Sequence, residues 1–148
     1  MKLISTFALP VVMLAALYLL ISGSLFSINL LLVVQGLAIA LMVWARRSFQ
    51  PNQFSIHAQP TEGHMFSSGP YRAIRHPMYA GALAIIWSGI LGHISLLNLA
   101  IGAAVTIVIS IRIMVEEQYL LERFPDYREY SRKTRRLIPF VTGLLKQP

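Results

Sequence analysis

Four apolar runs organise the chain, at about Leu3–Ile21, Ile28–Ala45, Pro77–Leu91 and Ser95–Val115. A helix that spans a bilayer needs about 20 apolar residues, within a range of roughly 17–25. The third run is short and is predicted to begin inside the headgroup layer. The first follows Lys2, as a signal peptide would, but it exceeds an h-region and no convincing small-x-small cleavage site follows it. The connections alternate short and long. "SGSLFS" (Ser22 to Ser27) and "GHIS" (Gly92 to Ser95) read as tight turns, whereas Arg46 to His76 is long, polar and rich in Pro, Gln and Ser. The tail from Glu116 onward is polar and is predicted to be helical to about Arg136. The pattern therefore predicts an all-α integral membrane protein with about four transmembrane helices. They form two hairpins, followed by a cytoplasmic C-terminal helical tail. A single membrane domain covers 1–148: an N-terminal hairpin over 1–45, a cytoplasmic loop over 46–76, and a core of the third and fourth spans with the tail over 77–148. No internal repeat or low-complexity tract interrupts it.

Composition strengthens the membrane reading. Of the 148 residues, 55% are hydrophobic and 13% charged, where a soluble domain carries about 25% charged residues. Mean hydropathy is +0.60. The absence of cysteine excludes disulfides, thiolate nucleophiles and thiolate metal sites. The net charge of +7 invites a nucleic-acid reading, but the placement of the charges opposes it. All 13 Lys and Arg residues lie at the N-terminus, in the long loop, in the tail or near the tail end of the fourth run. None lies in the two tight turns. The positive-inside rule then puts both termini and the long loop in the cytoplasm. Membrane lipids, with anionic headgroups, are the expected partners of the basic residues.

The stretch "GPYRAIRHPMYAG" (Gly69 to Gly81) carries more than an orientation signal requires. His76 lies about 17 residues before the turn near His93, and Glu116 about 22 after it, so at about 1.5 Å per residue both return to the cytoplasmic boundary. Arg75, His76 and Tyr79 are therefore predicted to face Glu116 and Glu117. Pro77 suits a first helical position. The free N–H groups of that turn, reinforced by Arg72 and Arg75, form a natural anion site. Arg112, four residues before Glu116, shares its face, and a guanidinium within a span marks a functional site by default. Cations for a carboxylate and carboxylates for an ammonium together meet the requirement of an amino-acid zwitterion.

Each feature alone has a plainer reading. Arg72 and Arg75 serve as orientation signals, Tyr71 and Tyr79 as interfacial aromatics, and Glu116 and Glu117 as the start of a solvated helix. Arg112 snorkels, and "SRKTRRLIPF" forms a lipid-binding basic segment. His57 and His64 suggest no metal site, because no HExxH or acidic partner accompanies them.

Taken together, "SGPYRAIRHPMYAG", "RIMVEEQYLLERFPDYREY" and "RRLIPF" resemble the isoprenylcysteine carboxyl methyltransferase family, within the wider group that includes phospholipid methyltransferases. The resemblance covers about Ser68 to Phe140; the first two spans match only as hydrophobic helices. It implies a membrane-embedded methyltransferase that uses S-adenosylmethionine, with a cofactor pocket built by the last two helices and the tail. By resemblance, Tyr71, His76, Tyr79, Gly81, Glu116 and Glu117 are cofactor contacts. Arg75 and Arg112 stand near the reacting carboxylate as catalytic residues, and Tyr127, Tyr130, Arg136 and Pro139 close the pocket. "FPDY" departs from relatives that carry a glycine and one more residue before the tyrosine. The implied reaction is methylation of a lipophilic small-molecule or lipid-linked acceptor, at a carboxylate or alternatively at an amine or thiol. The implied place is a bacterial inner membrane. A non-enzymatic membrane scaffold that retains the fold is the rival reading.

Overall fold

A computed structural model of the chain describes residues 2–26, 30–48 and 69–137. Among these residues five α-helices follow one another: α1 (Lys2–Ile21), α2 (Leu30–Arg47), α3 (Pro77–Gly92), α4 (Leu96–Arg123) and α5 (Tyr127–Lys133), with a 3-10 turn at Gly69–Arg72 ahead of α3. No strand occurs among the described residues, where the one isolated bridge joins Ile74 and Arg135 in parallel. Two of the helices, α2 and α4, are long and apolar enough to cross a membrane. The apolar stretches Phe7–Ile21 and Pro77–Gly92 are shorter.

The four apolar runs all become helices, but the packing crosses the two expected hairpins. α2 lies chiefly against α3, and α1 lies chiefly against α4. The turn after α1 therefore runs over the C-terminal end of α3. Gly89 makes this crossing possible. A Cβ there would stand 2.5 Å from the Leu25 carbonyl oxygen and 2.8 Å from that of Ser24. Gln35 of α2 fastens the same turn by donating from Nε2 to the Leu25 carbonyl at 2.6 Å. The core between α1, α3 and α4 consists of Leu19, Ile86, Ile90, Val105, Ile109 and Ile113. Its α3 and α4 members recur every four residues, so they line single helix faces. The α3–α4 turn is locked locally. Ser95 caps α4 by accepting from the Asn98 amide at 3.1 Å, and Asn98 Nδ2 donates to the His93 carbonyl at 2.7 Å.

Two boundaries differ from the expectation. The apolar run ends near Val115, but α4 continues through the polar residues that follow without a break, 28 residues to Arg123. Glu116 and Glu117 therefore sit inside a continuous helix. The residues after Val115 are mostly good helix formers, and the helix stops only where Pro125 forces Phe124 into extended backbone. The tail is not one helix to Arg136. α5 ends at Lys133, and Thr134 turns extended, which lets the chain return alongside Ala73–His76. The predicted loop over 46–76 is described only at its ends, and its part within 49–68, with His57 and His64, lies outside the described residues, as do Pro139 and Phe140.

Candidate functional site

The site forms where the start of α3, the C-terminal half of α4 and the returning tail meet. Pro77 opens α3, with His76 as the N-cap residue. The His76 side chain makes no capping bond, so its ring is free to reach α4. The tail pins this segment from the other side. The Arg75 and His76 amides donate to the Arg135 and Arg136 carbonyls at 2.6 and 3.1 Å, and the Arg135 amide donates to the Ala73 carbonyl at 3.0 Å. Tyr130 adds a side-chain latch, donating to the Tyr71 carbonyl at 2.7 Å.

Adjacent carboxylates on α4 meet different partners, because successive helical residues point about 100° apart. Glu117 is buried and surrounded by cations. Its Oε1 lies 3.4 Å from Arg75 Nε and 3.3 Å from His76 Nε2. Its Oε2 takes both Nε and Nη2 of Arg136 at 2.9 Å. The Glu117 side chain is 7% exposed and that of Arg75 12%, so this is a low-dielectric cluster in which each charge depends on its partners. Glu116 is half-buried and accepts a bond from the Tyr79 hydroxyl at 3.0 Å. That hydroxyl in turn accepts from Arg112 Nε at 2.6 Å. The His76 and Tyr79 rings stack at 5.6 Å between centroids, which joins the two networks.

A model of the phospholipid methyltransferase family matches residues 24–127. The chain belongs to that family. Over 74 residues it is 35% identical to methanethiol S-methyltransferase 1 of Bradyrhizobium diazoefficiens, a stretch that covers 47% of this chain and 24% of that protein. Over 76 residues it is 29% identical to the cobalt-zinc-cadmium resistance protein CzcN of Cupriavidus metallidurans, covering 51% of this chain and 35% of that protein. The chain thus spans about a quarter and about a third of these relatives' lengths. No solved structure matches it.

Within this member of the family, Arg75, His76, Tyr79, Arg112, Glu116 and Glu117 are brought together. Gly81 is not among them. It is buried where α3 meets α2, and a Cβ there would lie 2.4 Å from Met42 Cγ and 3.1 Å from the Ala38 carbonyl. Its role in this structure is close helix packing. Tyr71 is buried beside the site and engages it through its backbone carbonyl. The anion site expected at the start of α3 is altered in the same way. Arg72 is exposed, Arg75 is turned to Glu117, and two of the nearby amides already serve the tail. Arg136 is a closer partner of Glu117 than either Arg75 or His76. Only its place in "RRLIPF" hinted at that. Burial pushes the phenols of Tyr71, Tyr127 and Tyr130 above their ordinary range, so they act as neutral hydroxyls. Among the described residues no group of three or more His, Asp or Glu side chains is arranged to hold a metal ion.

Proposed function

We propose that the chain is an integral membrane methyltransferase that uses S-adenosylmethionine and methylates a lipophilic acceptor at the cytoplasmic interface. The observation that carries this reading is the division of labour between the two glutamates, in a chain of the phospholipid methyltransferase family. Glu117 is consumed in fixing Arg75, His76 and Arg136. Glu116 keeps one oxygen that makes no hydrogen bond among the described residues. The groups fit the amino-acid end of the cofactor. Glu116 offers an acceptor for an ammonium. Among the described residues the Tyr127 hydroxyl is a buried donor without a hydrogen-bond acceptor, suited to a carboxylate, and the Arg75 guanidinium, ion-paired to Glu117 through Nε, adds positive charge beside it.

When bound, S-adenosylmethionine supplies a methyl group already activated by its sulfonium centre. The protein's part is orientation and exclusion of water, which lowers a barrier by several kcal/mol when reactants are well aligned. Glu116 would hold the cationic end, the Tyr127 hydroxyl would hold the anionic end beside the positive charge of Arg75, and the returning tail walls the site. An acceptor carboxylate pairs with Arg112 and needs no base. The similarity to a methanethiol S-methyltransferase favours a thiol as the second reading, and a thiol must lose its proton, for which His76 or a glutamate serves.

In the same reading all four apolar helices span the inner membrane, with both termini and the 46–76 loop cytoplasmic, and 77–148 is the cofactor-binding core. The charge distribution supports this orientation.

The test is calorimetric titration of detergent-purified protein with S-adenosylhomocysteine, beside transfer of labelled methyl groups into fractionated membranes. Saturable binding that Glu116→Ala abolishes is expected, with label in lipid-soluble material. Absence of binding overturns the reading and leaves the scaffold role. Label in thiol products selects the second acceptor.

A further inference from the structure

Arg112 and Glu116 stand four residues apart on α4, a spacing at which opposite charges on a helix pair readily. They do not pair directly. The Tyr79 hydroxyl from α3 stands between them, accepting from Arg112 Nε at 2.6 Å and donating to Glu116 Oε2 at 3.0 Å. We infer that Tyr79 is a spacer, a positioning residue that keeps Arg112 from closing on Glu116 and so leaves one Glu116 oxygen open to the cationic group of a ligand. This rests on the reading of the site as an S-adenosylmethionine pocket, and it reassigns Tyr79 from touching the cofactor to presenting the residue that does.

Three contacts make the hydroxyl a fixed wedge. The Tyr79 ring is stacked on His76 at an interplanar angle of 27°. His76 is itself held beside Glu117. The Arg112 guanidinium carbon lies 6.0 Å from the Tyr79 ring centroid, at the outer limit of a cation–π contact, so the Nε bond to the hydroxyl is its main hold on the wedge. The wedge belongs to α3 and its two neighbours to α4, so the separation of the charges is set by helix packing. Removing the hydroxyl alone takes away both an acceptor for Arg112 and a donor for Glu116. The relaxed arrangement is then the direct Arg112–Glu116 ion pair, which cancels the charge a ligand would read.

The test uses full-length protein in detergent and two nucleosides. S-adenosylhomocysteine carries the ammonium, and 5′-methylthioadenosine lacks the amino-acid end. Tyr79→Phe is expected to weaken S-adenosylhomocysteine about tenfold, the size of one lost charge-assisted contact, while changing 5′-methylthioadenosine less than about twofold. Tyr79→Phe combined with Arg112→Met is expected to regain most of the S-adenosylhomocysteine affinity, because no cation remains to cover Glu116, while turnover stays low. A general loosening of the site would weaken both nucleosides together and would deepen in the double variant; either result overturns the spacer, as does wild-type affinity in Tyr79→Phe.

A ligand-free measurement separates the spacer from the pocket reading. Dicyclohexylcarbodiimide, followed by mass spectrometry of the Glu116 peptide, is expected to label wild type, to label Tyr79→Phe severalfold less, and to label the double variant again. Equal labelling of all three overturns the spacer. If wild type binds neither nucleoside while this labelling order holds, the pocket reading falls and the spacer stands.

Discussion

Neighbouring residues of one type carry opposite predictions here. Glu117→Gln strips the counter-charge from Arg75 and Arg136, and weakens the contact with His76, in a buried cluster. Breaking such a cluster from one side costs about 3 kcal/mol, so a marked fall in thermal midpoint in detergent is expected. Glu116→Gln keeps the half-buried site filled and should change stability by less than about 0.5 kcal/mol, while abolishing binding of S-adenosylhomocysteine. Equal destabilisation by the two substitutions would contradict the division of labour. The buried tyrosines give a pH prediction. An unfolded tyrosine loses its proton near pH 10, while the folded phenols of Tyr71, Tyr127 and Tyr130 hold theirs to higher pH. Below that pH both states are protonated and the contribution is fully present. Above it the unfolded chain releases protons that the folded chain retains, so stability falls as pH rises. Thermal midpoints should therefore drop between about pH 9 and about pH 11, and less steeply in Tyr127→Phe. The residue types of the site were legible in the sequence as far as "AIRHPMY" and "RIMVEE" name them. Which glutamate would be consumed and which left open was not, because a 100° turn between neighbours has no meaning until the facing helix is in place.

At the scale of elements, α3 depends on close contact near its C-terminal end. Gly89→Ala would drive a methyl into the Ser24 and Leu25 carbonyls. Backbone cannot yield as a side-chain tip can, so a loss of about 1–3 kcal/mol is expected. Gly36→Ala on α2 meets nothing within 4 Å and should be neutral or stabilising by up to about 1 kcal/mol, since alanine is the better helix former. Thermal unfolding of the two variants side by side checks both. The existence of the helices was legible from hydropathy, and the start of α3 from Pro77. Helix beyond Val115 was also expected, but that it continues α4 without a break and stops at Arg123 was not read, since the stop signal, Pro125, lies past the apolar run. The break after Lys133 had no strong local signal. It exists because extended Thr134 allows the tail to bond Ala73, Arg75 and His76.

For the whole molecule, the proposed topology is open to direct measurement, and the lack of native cysteine makes the background clean. A cysteine at Ile94, exposed in the α3–α4 turn, should react with an impermeant maleimide in intact cells. One at Arg132, exposed on α5, should react only after the membrane is opened. The opposite pattern would invert the orientation, and reaction of both in intact cells would defeat the even-span reading. The sequence by itself determined the apolar helices, their order and the residues able to carry charge at the site. These follow from local composition and spacing. Tertiary structure alone decided that α1 and α2 pack across the two hairpins, that Gly81 serves packing, that Arg136 returns to Glu117, and that Tyr79 stands between Arg112 and Glu116. Those outcomes depend on the rotation of one helix against another and on the path of a returning tail, which no single segment encodes. In "GPYRAIRHPMYAG" the charged groups can be read, but their partners exist only once α4 lies alongside.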